Sequence, residues 1–467
     1  MVTPQPVRHS GSRNARHPLD PNAIPTLRSE VLFVKHSYFA AAFLILVATF
    51  SFTRPASAQA VLSSPAAWQN NPSQPATLPP PKFFYSTEYL NGKVGGYLVN
   101  PSTGELSSTG QPPVWAHWGP TRIASDSGGY RLYVANQGSQ DVSAYFIYRN
   151  DGWLYPVPGA NFPVGGISTD IAVHPSNKFV YVTTSDTDYA GMTGKSNSVS
   201  AFSVASNGSL VTVPGSPFLT SGPNWGIAID PSGQYLYASS QVSDSNDSGQ
   251  INAFSINQTT GTLTPIPGSP FPIIPYTCPV CFGDAPVYGL AIDPTGNFLI
   301  GGSELNGVVY VYRIEAATGS ISEVAGSPFV EQTPSCAGVG SCFPGAAITD
   351  VTVTPNDQYV FVSNQYGVNG LGMYDFDSST GALSNLTWSP SPYNTWSTTS
   401  AVVRSDPSGK FVYTLGNVGQ NGPGMIGFAI DSNGSMSIVP NAPYPDPGVE
   451  PFPPGGINGV DGIAVTQ

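Results

Sequence analysis

One phrase recurs along this chain of 467 residues. The segment GIAIDPSGQYLYASS, which begins at Gly226, returns as GLAIDPTGNFLIGGS from Gly289. Its opening pattern, an apolar, a small and an apolar residue before a turn, occurs seven times, with the first apolar residue at Ile123, Ile171, Ile227, Leu290, Val351, Val403 and Ile463. Repetition at this spacing predicts an array of equivalent structural units, none of which can bury its apolar faces alone.

Each unit contains four strand patterns in about fifty to sixty residues. The first strand ends in a turn such as DPSG, where proline presets φ and glycine takes a positive φ. A second strand such as KFVYVTTS follows, with aromatic or β-branched residues alternating with small ones, then a third such as SVSAFSV and a fourth ending in GSPF. No helical periodicity follows Lys82, so the repeats predict an all-β chain.

A ring of such sheets buries every face and leaves few free edges. The chain enters its first unit at a second strand, KFFYSTEYL from Lys82, and ends on a lone first strand, GIAVTQ from Gly462. We therefore expect the C-terminal strand to complete the N-terminal blade. The sequence predicts a seven-bladed β-propeller over residues 82–467, built from four-stranded antiparallel blades.

Two segments precede the repeats. Residues 1–58 read as an export signal, because the apolar run YFAAAFLILVATFSF follows Lys35 and leads to the small residues of ASA at Ala56 to Ala58. The basic region is long, which leaves an internal start such as Val34 open. Residues 59–81 read as a proline-rich linker. We expect a secreted or periplasmic protein with no membrane span after cleavage, an uncleaved membrane anchor being the alternative.

Charge narrows the classes of partner. The whole chain has 16 basic and 28 acidic residues, of which residues 1–58 hold six and two, so the remainder carries 10 − 26 = −16. Such a surface repels phosphate backbones and anionic lipid, which excludes nucleic acid and an anionic membrane surface as partners. The expected partner is therefore a small molecule, a glycan or a protein. We expect the protein itself to be a monomer.

The four cysteines fall in two short segments, Cys278 with Cys281 and Cys336 with Cys342. In an exported chain disulfides are expected. Two local disulfides are favoured, with cross-pairing between the segments as the alternative. A zinc site is disfavoured because His117 and His174 are remote in sequence, and neither a metal nor a cofactor is predicted.

The connections that vary in length all lie on one rim of the predicted ring, and we place a ligand site there, over the central channel. Residues just before the first strands should surround the channel mouth: Arg122, Asp170, Trp225, Tyr288, Asp350, Ser400 and Asp461. His117 and Trp118 lie on the same rim and could contact a ligand. His174 replaces the aspartate of the DP turn on the opposite face and is predicted to be structural.

Arg404 departs from the pattern of the repeat. The equivalent position is small in every other unit, being alanine or threonine. A buried guanidinium needs a carboxylate partner, for which Asp350 and Asp461 are the candidates. Arg404 is then either an anion clamp in the channel or, in the interpretation that we favour, a structural ion pair that closes the last blade.

The repeats RLYVANQGSQDVSAYFI and INAFSINQTTGTLTPIPGSPF, and FVYVTTS above all, resemble those of the lactonase-like seven-bladed propellers with YVTN-type repeats. That family includes bacterial 6-phosphogluconolactonases and fungal muconate-lactonising enzymes. The resemblance implies a lactone site of arginine, histidine and carboxylate residues in the channel. The Pro-His-Ser segment common in these enzymes is replaced here by GPTRIASD and GGISTDIAV, which leaves Arg122, Asp170, Asp350 and Arg404 as candidate catalytic residues.

The sequence therefore leaves two functional hypotheses. The favoured one is a non-catalytic propeller that binds a ligand or partner through its variable rim. The alternative is a lactone hydrolase, in which Asp170 or Asp350 activates water and Arg404 or Arg122 stabilises the oxyanion.

Overall fold

The computed structural model describes ten stretches of the chain, all within Asn71–Gln467. They are residues 83–186, 196–241, 249–274, 287–303, 307–330, 348–364, 371–389, 402–417, 423–445 and 460–466. Every regular element in these stretches is a β-strand. The expected all-β class is therefore confirmed for the described residues.

The strands are numbered in chain order. Up to residue 219 they are β1 (Phe83–Glu88), β2 (Lys93–Val99), β3 (Leu106–Ser108), β4 (Val114–Trp115), β5 (Pro120–Ser125), β6 (Arg131–Asn136), β7 (Asp141–Ile147), β8 (Leu154–Pro163), β9 (Ile167–Val173), β10 (Phe179–Ser185), β11 (Ser198–Val204), β12 (Leu210–Thr212) and β13 (Phe218–Leu219). The next group is β14 (Asn224–Ile229), β15 (Tyr235–Gln241), β16 (Gly249–Ile256), β17 (Leu263–Pro265), β18 (Phe271–Pro272), β19 (Val287–Ile292), β20 (Phe298–Ser303), β21 (Val308–Ile314), β22 (Ile321–Glu323) and β23 (Phe329–Val330). The last group is β24 (Ile348–Val353), β25 (Tyr359–Asn364), β26 (Leu371–Asp377), β27 (Ala382–Trp388), β28 (Val403–Ser405), β29 (Phe411–Asn417), β30 (Pro423–Ile430), β31 (Met436–Ile438), β32 (Tyr444–Pro445) and β33 (Val460–Val465).

These strands form seven antiparallel sheets, each of which is one blade. In order the blades contain β1–β4 with β33, then β5–β8, β9–β13, β14–β18, β19–β23, β24–β27 and β28–β32. In five blades a short fifth strand also pairs with the third strand, so the predicted outer strand is divided in two. The strands β33, β5, β9, β14, β19, β24 and β28 contact one another in that cyclic order and line the centre of the ring.

The ring closes through its terminal strand. In β33, Ile463 pairs with Ser86 of β1, Ala464 with Tyr85 and Val465 with Phe84. This is the pairing that the sequence predicts, and the seven-bladed propeller is confirmed. Because β33 is the inner strand of the first blade, the two ends of the repeat region are joined by main-chain hydrogen bonds.

In four of the seven blades, a tyrosine on the second strand connects the blade to the next one. The tyrosine hydroxyls donate to glycine carbonyls in the turn before the outer strand of the following blade: Tyr85 to Gly152 (2.8 Å), Tyr181 to Gly261 (2.9 Å), Tyr237 to Gly319 (2.8 Å) and Tyr413 to Gly104 (2.7 Å). The last of these crosses the closure, from the seventh blade to the first. Gly104 has a φ of +74°, and a Cβ there would lie 2.4 Å from the ring of Phe411, so only glycine fits.

The short turns between first and second strands are held by the recurring aspartate. In the fourth blade a carboxylate oxygen of Asp230 accepts the backbone N–H of Tyr235 at 2.6 Å. His174 takes this place in the third blade and is buried. Its Nδ1 accepts the backbone N–H of Ser176 (3.1 Å), which leaves Nε2 to donate to the carbonyl of Gly233 in the next blade (2.9 Å). These contacts support the predicted structural role of His174.

Candidate functional site

Equivalent residues stand one position before the recurring apolar residue, in or just ahead of each of the seven inner strands. From the first blade to the seventh they are Gly462, Arg122, Asp170, Gly226, Gly289, Asp350 and Val402. Side chains at this level point at the following blade, because a Cβ on Gly226 would lie 2.2 Å from the carbonyl oxygen of Tyr288. A Cβ on Gly289 would lie 2.6 Å from Cα of Asp350.

The side chain of Asp170 points at the following blade in this way and joins the third blade to the fourth. One carboxylate oxygen accepts the N–H of Ile171 on its own strand at 2.9 Å. The other accepts the N–H of Ile227 on the neighbouring inner strand at 3.1 Å. The recurring apolar residues of two successive blades are thus bound by one carboxylate, and the side chain of Asp170 is half-buried.

Asp350 makes the same connection between the sixth and seventh blades. Its carboxylate accepts the N–H of Val351 at 3.0 Å and that of Val403 at 3.1 Å. Arg404 forms an ion pair with the oxygen that Val403 contacts, and it also donates to the carbonyl of Val403 at 2.7 Å. The predicted pairing of Arg404 with Asp350 is therefore confirmed.

Arg122, Asp170, Asp350 and Arg404 form one electrostatic group, called here the hub cluster. Burial raises the pKa of Asp170 above the usual carboxyl value, and the cations Arg122 and Arg404 offset only part of the rise. For Arg404, burial by itself would lower the pKa, but the carboxylates of Asp350 and Asp170 outweigh it and the pKa is raised. A carboxylate with a raised pKa is a stronger base than an ordinary one, and two guanidinium groups beside it can stabilise negative charge.

Trp225 and Tyr288 form an aromatic wall on the fourth and fifth blades. Their rings stack with centroids 4.7 Å apart at an interplanar angle of 25°. They stand two positions before Ile227 and Leu290, and Gly226 and Gly289 hold the position that is equivalent to Asp170 and Asp350. The inner strands that carry Arg122, Asp170 and Asp350 have the same irregular pairing at this point, so the aromatic rings lie one position further from the recurring apolar residue in an otherwise equivalent strand.

His117 lies on the irregular rim between the first two blades, where its Nδ1 is 2.5 Å from Oδ2 of Asp141. The other carboxylate oxygen of Asp141 accepts hydrogen bonds from Asn136 and Ser139, both at 2.8 Å. The side chain of His117 is 38% exposed and that of Asp141 is 8% exposed. Sequence reasoning missed Asp141, although its place at the start of a third strand faces the loop of His117.

The backbone of His117 is strained. Its φ is +108°, a region that costs a residue with a Cβ about 1–3 kcal/mol and that persists only where the surroundings enforce it. Trp118 beside it is 54% exposed, and Trp115 on the other side is 61% exposed. The structure therefore places His117 between two exposed indoles, as the sequence order suggests.

Several predicted residues lie outside what the structure describes. These are Ser400, the side chain of Asp461, and the cysteines Cys278, Cys281, Cys336 and Cys342. The disulfides, like the export signal of residues 1–58 and the linker of 59–81, stay predictions. Within the described ranges, no group of three or more His, Cys, Asp or Glu side chains could hold a metal ion. No helix among these residues is long and apolar enough to cross a membrane.

A closed ring of seven antiparallel blades defines the class, and the chain is a seven-bladed β-propeller. A family model described as lactonase, 7-bladed beta-propeller, matches residues 166–273. This match covers the third and fourth blades, including Asp170 and Trp225. The resemblance drawn from the repeats is thus confirmed.

Among curated proteins, a 6-phosphogluconolactonase of Yersinia pestis is 26% identical over 151 residues, which cover 31% of this chain and 41% of the relative. The chain spans about two fifths of the length of the curated relatives it matches. Among solved structures, a putative 6-phosphogluconolactonase of Bacteroides fragilis has a TM-score of 0.61 at 16% identity, covering 84% of this chain and all of that one. A periplasmic gluconolactonase of Pseudomonas aeruginosa has a TM-score of 0.57 at 16% identity, covering 78% of this chain and 98% of that one. These structural likenesses show the fold.

Proposed function

We propose that the channel mouth binds a small sugar lactone and hydrolyses it, with Asp170 as the general base. The observation that carries the proposal is the state of Asp170. It is a half-buried carboxylate with a raised pKa, and Arg122 and Arg404 act on it electrostatically. The similarity to proteins named for lactone hydrolysis supports the same reaction class.

The two carboxylates of the hub cluster divide their roles. Asp350 is 5% exposed and paired with Arg404, so it serves the structure. Asp170 has two backbone donors, one for each oxygen, and each oxygen keeps a second lone pair with which it can accept a proton from water. Arg122, on the neighbouring blade, acts electrostatically on Asp170 and is the cation to which we assign the oxyanion.

In the reaction that follows, Asp170 removes a proton from a water molecule whose oxygen attacks the lactone carbonyl carbon. The negative charge that develops on the carbonyl oxygen is stabilised by the guanidinium of Arg122. When the tetrahedral intermediate collapses, the ring C–O bond breaks. The alkoxide leaving group takes the proton from Asp170, which restores the carboxylate and releases the open hydroxy acid.

The charge balance of the cluster selects among lactones. Two guanidinium groups face two carboxylates, so the cluster has no excess of positive charge for a phosphate ester. The indole of Trp225, backed by the buried ring of Tyr288, would give a sugar ring a flat apolar face to stack on. We therefore assign an unphosphorylated sugar lactone, such as glucono-δ-lactone, as the substrate class.

The repeat supplies a matched pair of variants for the test. Asp170→Asn and Asp350→Asn alter equivalent connections between blades, but only the first removes the proposed base. Hydrolysis of glucono-δ-lactone, followed by acid release, should fall by about 10²–10⁴-fold in Asp170→Asn. The same activity should persist in Asp350→Asn once both proteins are shown to be folded. Equal loss in both variants would assign Asp170 a purely structural role.

Binding without turnover is the second candidate, favoured by the connection that Asp170 makes to Ile227. A carboxylate committed to holding two blades together could shape a ligand pocket and do no chemistry. In that case wild-type protein would be stabilised against thermal unfolding by glucono-δ-lactone or gluconate while the rate of acid release stayed at the uncatalysed value.

A further inference from the structure

Exposed apolar side chains are concentrated on one part of the irregular rim. The described residues include seven large hydrophobic side chains that are clearly exposed, and three of them belong to the connections of the first two blades: Leu90 (52%), Trp115 (61%) and Trp118 (54%). Together with His117 they are called here the rim patch. Large exposed aromatic side chains gathered at one place mark a binding surface more often than isolated ones do.

The indoles of the rim patch are held in place by close backbone contacts. A Cβ on Gly92 would lie 2.8 Å from the ring of Trp115, and a Cβ on Gly138 would lie 2.7 Å from the ring of Trp118. Both rings therefore rest against glycine main chain. Fixed aromatic faces cost a ligand little ordering entropy, which is a property of binding surfaces.

The hydrogen bond from His117 to Asp141 determines which ring nitrogen of His117 can accept a hydrogen bond between the two indoles. The buried carboxylate of Asp141 accepts the proton of Nδ1, so Nε2 of the neutral ring carries a lone pair. Among the described residues Nε2 has no hydrogen-bond partner. Asn136 and Ser139 fix the other oxygen of Asp141, so the carboxylate cannot turn away. The rim patch thus presents one oriented acceptor beside two flat apolar faces.

We infer that the rim patch is a second ligand site, separate from the hub cluster, and that it binds a neutral oligosaccharide. A pyranose ring has an apolar face that fits an indole and hydroxyl groups that can donate to Nε2 of His117. An anionic glycan is disfavoured, because the chain has a net charge of −12. Lys93, which pairs with Trp115 in the first blade, is a cation beside the patch.

The test is isothermal titration calorimetry with four neutral oligosaccharides: cellohexaose, maltohexaose, chitohexaose and mannohexaose. We expect at least one of them to bind the wild-type protein, and both Trp115→Ala and Trp118→Ala to weaken that binding at least tenfold. Because both indoles are exposed, these variants should keep the thermal unfolding midpoint of the wild type. Tyr130→Ala is the matched control, since it removes a 44% exposed aromatic ring from the short turn at the opposite end of β5.

Asp141→Asn tests the positioning role of the carboxylate. An asparagine amide donates to Nδ1 and moves the proton of the neutral ring to Nε2, which ¹⁵N NMR of His117 detects as an exchange of the two ring-nitrogen signals. Binding of the oligosaccharide should weaken about tenfold with this exchange. The inference is overturned if none of the four sugars binds at millimolar concentration, if binding survives loss of both indoles, or if Tyr130→Ala weakens it equally.

Discussion

Arg404 of the seventh blade forms an ion pair with Asp350 of the sixth, at the only repeat where the small residue of the hub is replaced by a cation. The side chain of Asp350 is 7% exposed and that of Arg404 is 29% exposed, so the pair is largely withdrawn from water. Removing the arginine leaves a buried carboxylate with backbone donors alone. A structural ion pair between blades is the interpretation that these contacts favour.

The first prediction concerns this pair. Arg404→Met should lower the free energy of unfolding by about 2–4 kcal/mol, because the charge of Asp350 stays buried without its cation. In a double-mutant cycle, Asp350→Asn combined with Arg404→Met should lose less than the sum of the single changes. Urea unfolding of the four proteins measures both quantities. Strict additivity would mean that the two side chains do not interact in solution.

A second prediction separates backbone strain from crowding at the ring closure. Gly104 and Gly110 have almost the same positive φ, +74° and +78°, but a Cβ on Gly104 would lie 2.4 Å from the ring of Phe411 whereas Gly110 has nothing within 4 Å. Gly110→Ala should cost about 1 kcal/mol from its φ alone. Gly104→Ala should cost about 1–3 kcal/mol more, because the ring must move. Denaturant unfolding compares the two, and equal costs would contradict the close packing of the seventh blade on the first.

The repeat made the fold predictable, while the site depended on details that a repeat conceals. The number of strands could be predicted from the alternation of large and small residues and from the turns at Asp230 and its equivalents. The lone first strand that contains Ile463 indicated how the ring closes. Arg404 stands where the other repeats have alanine or threonine, and this departure is visible without any second sequence. It indicated that the arginine needs a carboxylate partner. The stacking of Trp225 on Tyr288 could not be read from the repeat, because it depends on how two neighbouring inner strands pack together. Asp141 was missed because its contact with His117 joins the start of a strand to a loop 24 residues earlier, and no local pattern links the two.

A third prediction follows from the raised pKa of Asp170. A general base works only when deprotonated, so lactone hydrolysis should be low in acid and rise as the pH passes the pKa of Asp170, above the usual carboxyl value near 4. Arg122 lowers this pKa from its buried value. Arg122→Gln should therefore shift the rising limb of the pH–kcat profile to higher pH, beyond any fall in kcat itself. A limb that stays in place would show that another group controls the rate.

The last prediction asks whether the closing strand is as firmly held as the rest. Ile463 in β33 and Ile171 in β9 occupy equivalent places in their blades, with exposures of 0% and 6%. Only β33 depends on pairing with a strand from the opposite end of the repeat region. If closure is complete, Ile463→Ala and Ile171→Ala should each cost about 2–4 kcal/mol, because each leaves a cavity in a packed core. A closing strand that frays would already expose Ile463, so its truncation would cost less than about 0.5 kcal/mol while that of Ile171 kept its full effect. Denaturant unfolding of the two variants, with amide hydrogen exchange at Ile463, decides between these outcomes.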